Sequence, residues 1–443
     1  MRKHITLLAT LSISLASLLS ACGSTDSKAS PSPSAVPTTS QKAAEPAKPM
    51  TLKLSLWGDD TRKKLYEEYG KKFTALHPNI NVEIMLIPSA EYQQKMSILL
   101  ASKQGPDVAW FTERAYPQFL GADQLLDLSE IKNDANYNFN DMLPGTFDLL
   151  KKGDKVYGVP FAIGPKVLFF NKTLFKEKGL KTPLELSQEG KWDYPTMVST
   201  AKALTDSSKG IYGLNLFESG GWKAWVDALV ETFWGFGAEL FNQEGTKFLL
   251  NSPQGEQVMQ MYYDMLYKDQ SHLKPGDQTT FDTGKVAMVR EVYSYSAKAR
   301  NIKDFEWDIA PMPTPPIKDA PAAVGMAGYS VIKSTEHPKE ALELLKYFTS
   351  ADVEKELTQF YLPNRKSVLE SDAILGVGKP SKEAIKTALI SPFSKTLRFQ
   401  PSHPNWQQID VKMQTLFDFL YSKTATPKQV LEKMEQDITP LLK

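Results

Sequence analysis

Three short stretches carry the residue types that hold a polar, uncharged or weakly charged ligand. Trp57, Asp59, Asp60 and Arg62 form the first; Phe111, Glu113 and Arg114 the second; Phe217-Glu218-Ser219-Gly220-Gly221-Trp222 the third. Carboxylates and guanidinium groups suit sugar hydroxyls, because each hydroxyl both donates and accepts hydrogen bonds. Aromatic faces suit the apolar C–H faces of a pyranose. Trp222 follows two glycines at a helix start, where an indole has room to face a cleft. Trp225 shares that helical face and reads as core. Each group also has a plainer reading. Asp59 and Asp60 are good helix caps, and Glu113 with Arg114 makes an ordinary surface pair.

Catalytic chemistry finds little support. The five histidines are His4, His77, His272, His337 and His403, scattered and without metal-ligand spacing. No Gly-x-Ser-x-Gly occurs. With 51 acidic residues a carboxylate pair can always be nominated, so that signal is nearly empty. Gly235-x-Gly237 lacks the third glycine of a dinucleotide loop. We expect no catalytic residue, no metal and no cofactor. With 52 Lys+Arg against 51 Asp+Glu, the net charge is +1, which leaves no basic excess for nucleic acid.

The single cysteine, Cys22, says where the chain is expected to work. Arg2, Lys3 and His4 precede a short apolar run, and small residues precede Cys22, which is the layout of an export signal. Leu19-Ser20-Ala21-Cys22 resembles the lipobox of bacterial lipoproteins. That resemblance implies that residues 1–21 are removed and that Cys22 becomes a lipidated first residue. Two acyl chains anchor stably where one is marginal. Loss of Arg2 and Lys3 takes the net charge from +1 to about −1. Gly23 after Cys22 leans towards a Gram-positive surface. Residues 22–50 are rich in Ser, Pro, Ala and Lys, and read as a flexible tether with an r.m.s. span of roughly 30 Å.

The elements that must position these groups follow from periodicity. Leu52, Leu54 and Leu56 alternate as a strand. Leu65, Tyr69, Phe73 and Leu76 recur at helical spacing, and His77-Pro78 ends that helix. Ile80, Val82, Ile84 and Leu86 form the next strand, so the unit favours a parallel sheet. Residues 90–102 read as a helix, residues 108–111 and 167–170 as strands, and 211–216 as a further candidate strand. Residues 340–349 and a stretch with Val430, Met434 and Ile438 read as amphipathic helices. In open α/β sheets ligand lies beyond the carboxyl ends of strands, which points to the loops after Leu56, after Phe111 and around residue 217.

Six segments together resemble the family 1 extracellular solute-binding proteins of ABC sugar importers, the group that includes maltose-binding protein. They are Gly105-Pro106-Asp107-Val108; Val156-Tyr157-Gly158-Val159-Pro160-Phe161; Leu168-Phe169-Phe170-Asn171-Lys172 with Leu174-Phe175 and Lys178-Gly179-Leu180; Phe281-x-x-Gly284-Lys285-x-Ala287-Met288; residues 341–350; and Leu362-Pro363-Asn364-Arg365-Lys366-Ser367. The resemblance implies an α/β, two-lobed periplasmic-binding-protein-like fold (type II) whose lobes are joined by crossing hinge strands. It places the amino-terminal lobe at 51–163 and 289–326, and the carboxy-terminal lobe at 164–288 and 327–443. Ligand would sit between lobes that close like a hinge.

By the same resemblance Gly164 and Pro165 lie in the first crossing and Tyr329 at the last. Tyr293 stands where an aromatic often contacts sugar, and Glu291 where a small residue is common. The charges of Lys166, Arg290 and Glu291 leave room for an acidic sugar, or form a salt-bridged hinge. The expected function is an extracytoplasmic, lipid-anchored, monomeric binding protein. It captures a carbohydrate, an oligosaccharide by expectation, and passes it to the ABC permease subunits in the membrane. The alternatives are the same fold with a polyamine, sugar phosphate or metal chelate, or a secreted carbohydrate-active hydrolase or lyase.

Overall fold

The computed structural model describes residues 48–443 apart from 59, 89–90, 144, 218–223, 395 and 402. The expected signal peptide, most of the tether with Cys22, and the site candidates Asp59 and Trp222 lie outside the described residues. Within Lys48–Lys443, which forms one compact unit, eleven strands are described. They are β1 (Met50–Trp57), β2 (Ile80–Ile87), β3 (Val108–Thr112), β4 (Lys151–Lys152), β5 (Lys155–Val156), β6 (Val159–Asn171), β7 (Met288–Val292), β8 (Trp307–Pro311), β9 (Ala322–Val331), β10 (Leu362–Pro363) and β11 (Leu397–Phe399).

β1 forms because Leu52, Leu54 and Leu56 bury one face completely. It pairs in parallel with β2 over its whole length and with β3 at Leu54 and Ser55. The helix Asp60–Leu76 makes the crossover from β1 to β2, as the alternating sequence predicts. Its buried stripe differs from the expected one: Tyr66, Tyr69, Gly70 and Phe73 are buried, while Leu76 is exposed. Tyr66 stacks on Phe348 at 5.6 Å, so the aromatic side chains turn the helix by about one residue against its simple aliphatic pattern. Phe348 belongs to the helix Pro338–Phe348, whose Ala341, Leu344 and Leu345 are also fully buried. The last amphipathic helix is Pro427–Ile438, opened by a Thr426–Gln429 capping box. The candidate strand at 211–216 is reduced to isolated bridges, Tyr212 to Val286 and Asn215 to Val289.

β6 is the organising element. All of its thirteen residues are buried, and it changes partners midway. Val159 to Pro165 pairs antiparallel with β9, bringing Gly164 opposite Gly325. Lys166 to Asn171 pairs with β7 on one edge and β8 on the other. Consecutive residues face opposite ways, so Val167 and Phe169 enter one hydrophobic cluster and Leu168 and Phe170 a second.

β7 and β8 pair with Lys166 to Asn171, while Val289, Tyr293, Trp307 and Ile309 pack in the cluster that holds Leu54 and Tyr66. β9 from Ala327 to Val331 pairs with β3. Tyr329, Leu344, Phe348 and Leu369 pack in the same cluster as Leu54 and Tyr66. From Ile409 onward the chain joins the other cluster. β9, rather than β7, carries the chain back beside β3.

Candidate functional site

Arg114 follows β3, where the ladder with β9 runs out through Glu113. The Glu113 N–H donates to the Met326 carbonyl at 3.2 Å, and the Glu113 carboxylate accepts from the Met326 N–H at 3.0 Å. This two-way bond fixes the backbone from which Arg114 projects. Arg114 Nη2 then donates to Asp227 Oδ2 at 3.0 Å, across 113 residues of sequence. Asp227 lies in the first turn of the helix Trp225–Phe236, whose amino-terminal dipole favours a negative charge. Lys166, at the point where β6 changes partners, is 3.6 Å from Asp227 Oδ1, and Gln400 Nε2 donates to the same oxygen.

The electrostatics follow from this geometry. Burial opposes the charge of Asp227, but Lys166 and Arg114, aided by Gln400, outweigh it and hold its pKa down at about 2. Asp227 is therefore an anion at any ordinary pH. Burial raises Glu113 above the usual carboxylate range, with Arg114 working the other way. Asp410, which accepts from Trp225 Nε1 at 2.8 Å, is likewise raised by burial. Arg290 on β7 is fully buried and lies near enough to Asp227 to favour its charge. Cations and carboxylates thus compensate one another around Asp227. Beside this cluster Pro165, Lys166, Tyr194 and Glu231 line a cavity of ≈ 60 Å³. Ligand pockets run to roughly 300–1,000 Å³, so a sugar would enter only if the groups around Asp227 parted.

A second constellation forms at the end of β1. The Arg62 guanidinium carbon lies 5.7 Å from the Trp57 ring, 5.5 Å from Trp110 and 5.4 Å from Tyr361. Arg62 Nη1 donates to the Trp57 carbonyl at 3.2 Å. A groove of ≈ 610 Å³ is larger than the cavity beside Asp227, but its lining residues His77, Asn79 and Ile80 stand at the start of β2. That is the opposite end of the parallel strands from the loops that carry Arg62 and Arg114.

The structure therefore brings together Trp57 with Arg62, and Glu113 with Arg114, and it sets Gly164 and Pro165 beside Lys166 at the partner switch. Other candidates go elsewhere. Asp60 is exposed in the first turn of its helix. Phe111 is core, stacked on Phe119 at 4.6 Å. Phe217 packs against Tyr262 and His272. Tyr293 is buried and donates to the Thr358 carbonyl at 2.8 Å. Tyr329 is buried, stacks on Phe161 at 4.4 Å and donates to Tyr66. Glu291 neighbours Arg290 in β7 and so faces the other way, beside Tyr295.

Sequence reasoning missed Trp110, Asp227, Tyr361 and Gln400. One signal was present for Asp227. In Trp225–Phe236 the only acids are Asp227 and Glu231, four residues apart on an otherwise apolar helix. A buried carboxylate in such a setting needs a partner.

Residues 58–355 match the family described as bacterial extracellular solute-binding protein. A binding protein of Brucella abortus (strain 2308) is 23% identical over 397 residues, covering 85% of this chain and 90% of its own. An arabinooligosaccharide-binding protein of Halalkalibacterium halodurans is 24% identical over 277 residues, 58% of this chain and 57% of its own. Among solved structures, an ABC substrate-binding protein of Listeria monocytogenes in complex with cycloalternan superposes with a TM-score of 0.78. It shares 19% identity and covers 89% of this chain and 99% of that one.

Proposed function

The chain belongs to the bacterial extracellular solute-binding proteins, and from that premise we propose that it captures a carbohydrate between two lobes and hands it to an ABC permease. The observation that carries this reading is the Arg114–Asp227 contact, with Lys166 and Gln400 on the same carboxylate. It joins the loop after β3 to a helix of the other hydrophobic cluster, beside the strand that passes between the two. Its charges are mutually compensated, so it offers a hydroxylated ligand donors and acceptors without demanding a net charge. The names of relatives, one an arabinooligosaccharide-binding protein and one a cycloalternan complex, agree with an oligosaccharide.

On this reading the two lobes are built around the two hydrophobic clusters, with β6 passing between them. The protein works as a monomer outside the cytoplasm and returns its ligand chemically unchanged. Cys22 carries the lipid anchor, and Cys22→Ala releases the protein from the detergent phase into the aqueous phase on partitioning. Retention of the variant in detergent contradicts the anchor.

The test of function is a thermal-shift screen against neutral and uronic mono- and oligosaccharides. A ligand at 100 times its Kd adds about 2.7 kcal/mol of stability. Mass spectrometry of the ligand after incubation should find it intact. Cleavage in proportion to protein concentration, or no response to any sugar, contradicts the proposal.

A further inference from the structure

The three rings around Arg62 form a cage of the kind that binds organic cations, and the chain has filled it with its own guanidinium. We propose that Arg62 is a specificity-determining residue: it occupies a site that would otherwise take a quaternary ammonium, and so keeps cationic solutes out of this end of the molecule. The inference rests on the solute-binding reading given above and adds the sign of charge that the site refuses.

Trp57, Trp110 and Tyr361 pack on one another as well as on the cation. The two indoles are 5.6 Å apart, and Trp110 meets Tyr361 edge-on at 6.0 Å. Each ring presents negative π density to a cation within about 6 Å, which is the distance class of all three contacts with Arg62. A single exposed cation–π contact is common on protein surfaces. Three converging on one carbon, with two of the rings supplied by neighbouring strands and the third by the segment before β10, is a built enclosure.

The backbone is adapted to keep Arg62 there. Gly58 has φ +149°, and a Cβ at that position would lie 2.8 Å from Arg62 Cδ and 3.2 Å from its Nε. Only glycine both adopts this conformation and leaves that space. The Arg62 stem therefore folds back over residue 58, and its head reaches the Trp57 carbonyl at 3.2 Å. A second cation entering the cage would find the same ring faces taken and meet the positive charge of the guanidinium already there.

The experiment uses tetramethylammonium chloride as probe, against sodium chloride at equal ionic strength, with tryptophan emission of the full chain as readout. Wild type and Arg62→Lys, whose cages remain filled by a cation, should show no saturable response. Arg62→Ala should show saturable quenching with half-saturation at a concentration roughly ten-fold or more below any wild-type response, given the strength of desolvated cation–π contacts. Arg62→Gln keeps a donor for the Trp57 carbonyl but loses the charge, and should respond in the same direction, so loss of fold in the alanine variant still leaves a reading. A wild type that responds as strongly as the neutral variants overturns the proposal. So does silence from a neutral variant that melts at the wild-type temperature. The probe is not a sugar, so failure of the sugar screen would count against the carbohydrate reading while these titrations still decide the cage.

Discussion

Two arginine–carboxylate groups in this molecule use the same side chains to opposite ends. Around Arg365 the partners are mostly main chain. Its Nε donates to the Thr349 carbonyl at 2.8 Å, Nη1 reaches the Asn138 carbonyl at 3.3 Å, and its guanidinium lies 4.6 Å over Tyr137. Glu354 beside it accepts from the N–H groups of Asn364 and Arg365 at 3.1 and 3.0 Å. Around Arg114 the bonds to Asp227 run from side chain to side chain. The Arg114 side chain is 45% exposed, against 3% for Arg365. A group tied to backbone carbonyls from several segments can only hold those segments together. A half-exposed guanidinium held by the side-chain carboxylates of Asp227 and Glu113 can change partners when a ligand offers better ones. On the proposed function, chemical similarity thus separates into a structural and a binding role by the nature of the partners.

The strongest way to break this comparison is Arg365→Ala. It leaves the Thr349 and Asn138 carbonyls and the Asp141 carboxylate, 3.5 Å from Arg365 Nη1, without that partner and should cost about 3–5 kcal/mol of stability, while a variant that stays folded keeps its ligand affinity. Chemical denaturation and calorimetry on the same sample check both halves. Next comes Asp227→Ala, which deprives Lys166 and Arg114 of their shared anion. We expect about 1–3 kcal/mol of lost stability and loss of ligand binding together. Binding at wild-type affinity would move Asp227 into the structural class.

The smallest effect is in pH, and its sign differs between the two groups. Burial lifts Glu354 to about 8 despite the opposing pull of Arg365. The folded chain then holds a proton that the unfolded chain releases near 4.5, so this contribution weakens as pH rises from about 4.5 to about 8. Asp227, held at about 2 against an ordinary 3.8, contributes stability above that ordinary value and loses it as pH falls towards 2. Glu354→Gln should flatten the neutral-side slope of a stability profile and Asp227→Asn the acid-side slope. Equal slopes in wild type and both variants would contradict the assignment.

Local pattern carried much of the fold and little of the site. The leucine alternation in β1, the crossover helix, and the helices at 338–348 and 427–438 are readable because each buries one face at a regular period. The Leu362 to Ser367 motif was legible as a motif, although its structural role appears only when Thr349 and Asn138 arrive from elsewhere in the chain. The partner of β7 was not legible, because it lies some 120 residues earlier and nothing within residues 288–292 states which half of β6 it joins. Asp227 went unnoticed for the same reason: Arg114 is 113 residues away and Gln400 is 173. Tyr329 and Tyr293 read as aromatics near a crossing; in the structure Tyr329 stacks on Phe161 and Tyr293 donates to the Thr358 carbonyl.

The central claim is that Arg114 and Asp227 hold the solute. It is tested most directly by isothermal titration of wild type and Arg114→Ala with whichever sugar gives the largest thermal shift. Wild type should bind at one site and return the sugar intact. Arg114→Ala, its stability within about 1 kcal/mol of wild type because the side chain is half-exposed and Lys166 and Gln400 still hold Asp227, should bind roughly ten- to a hundred-fold more weakly. Equal affinity in the two proteins, with unchanged melting, would place the ligand elsewhere and contradict the account.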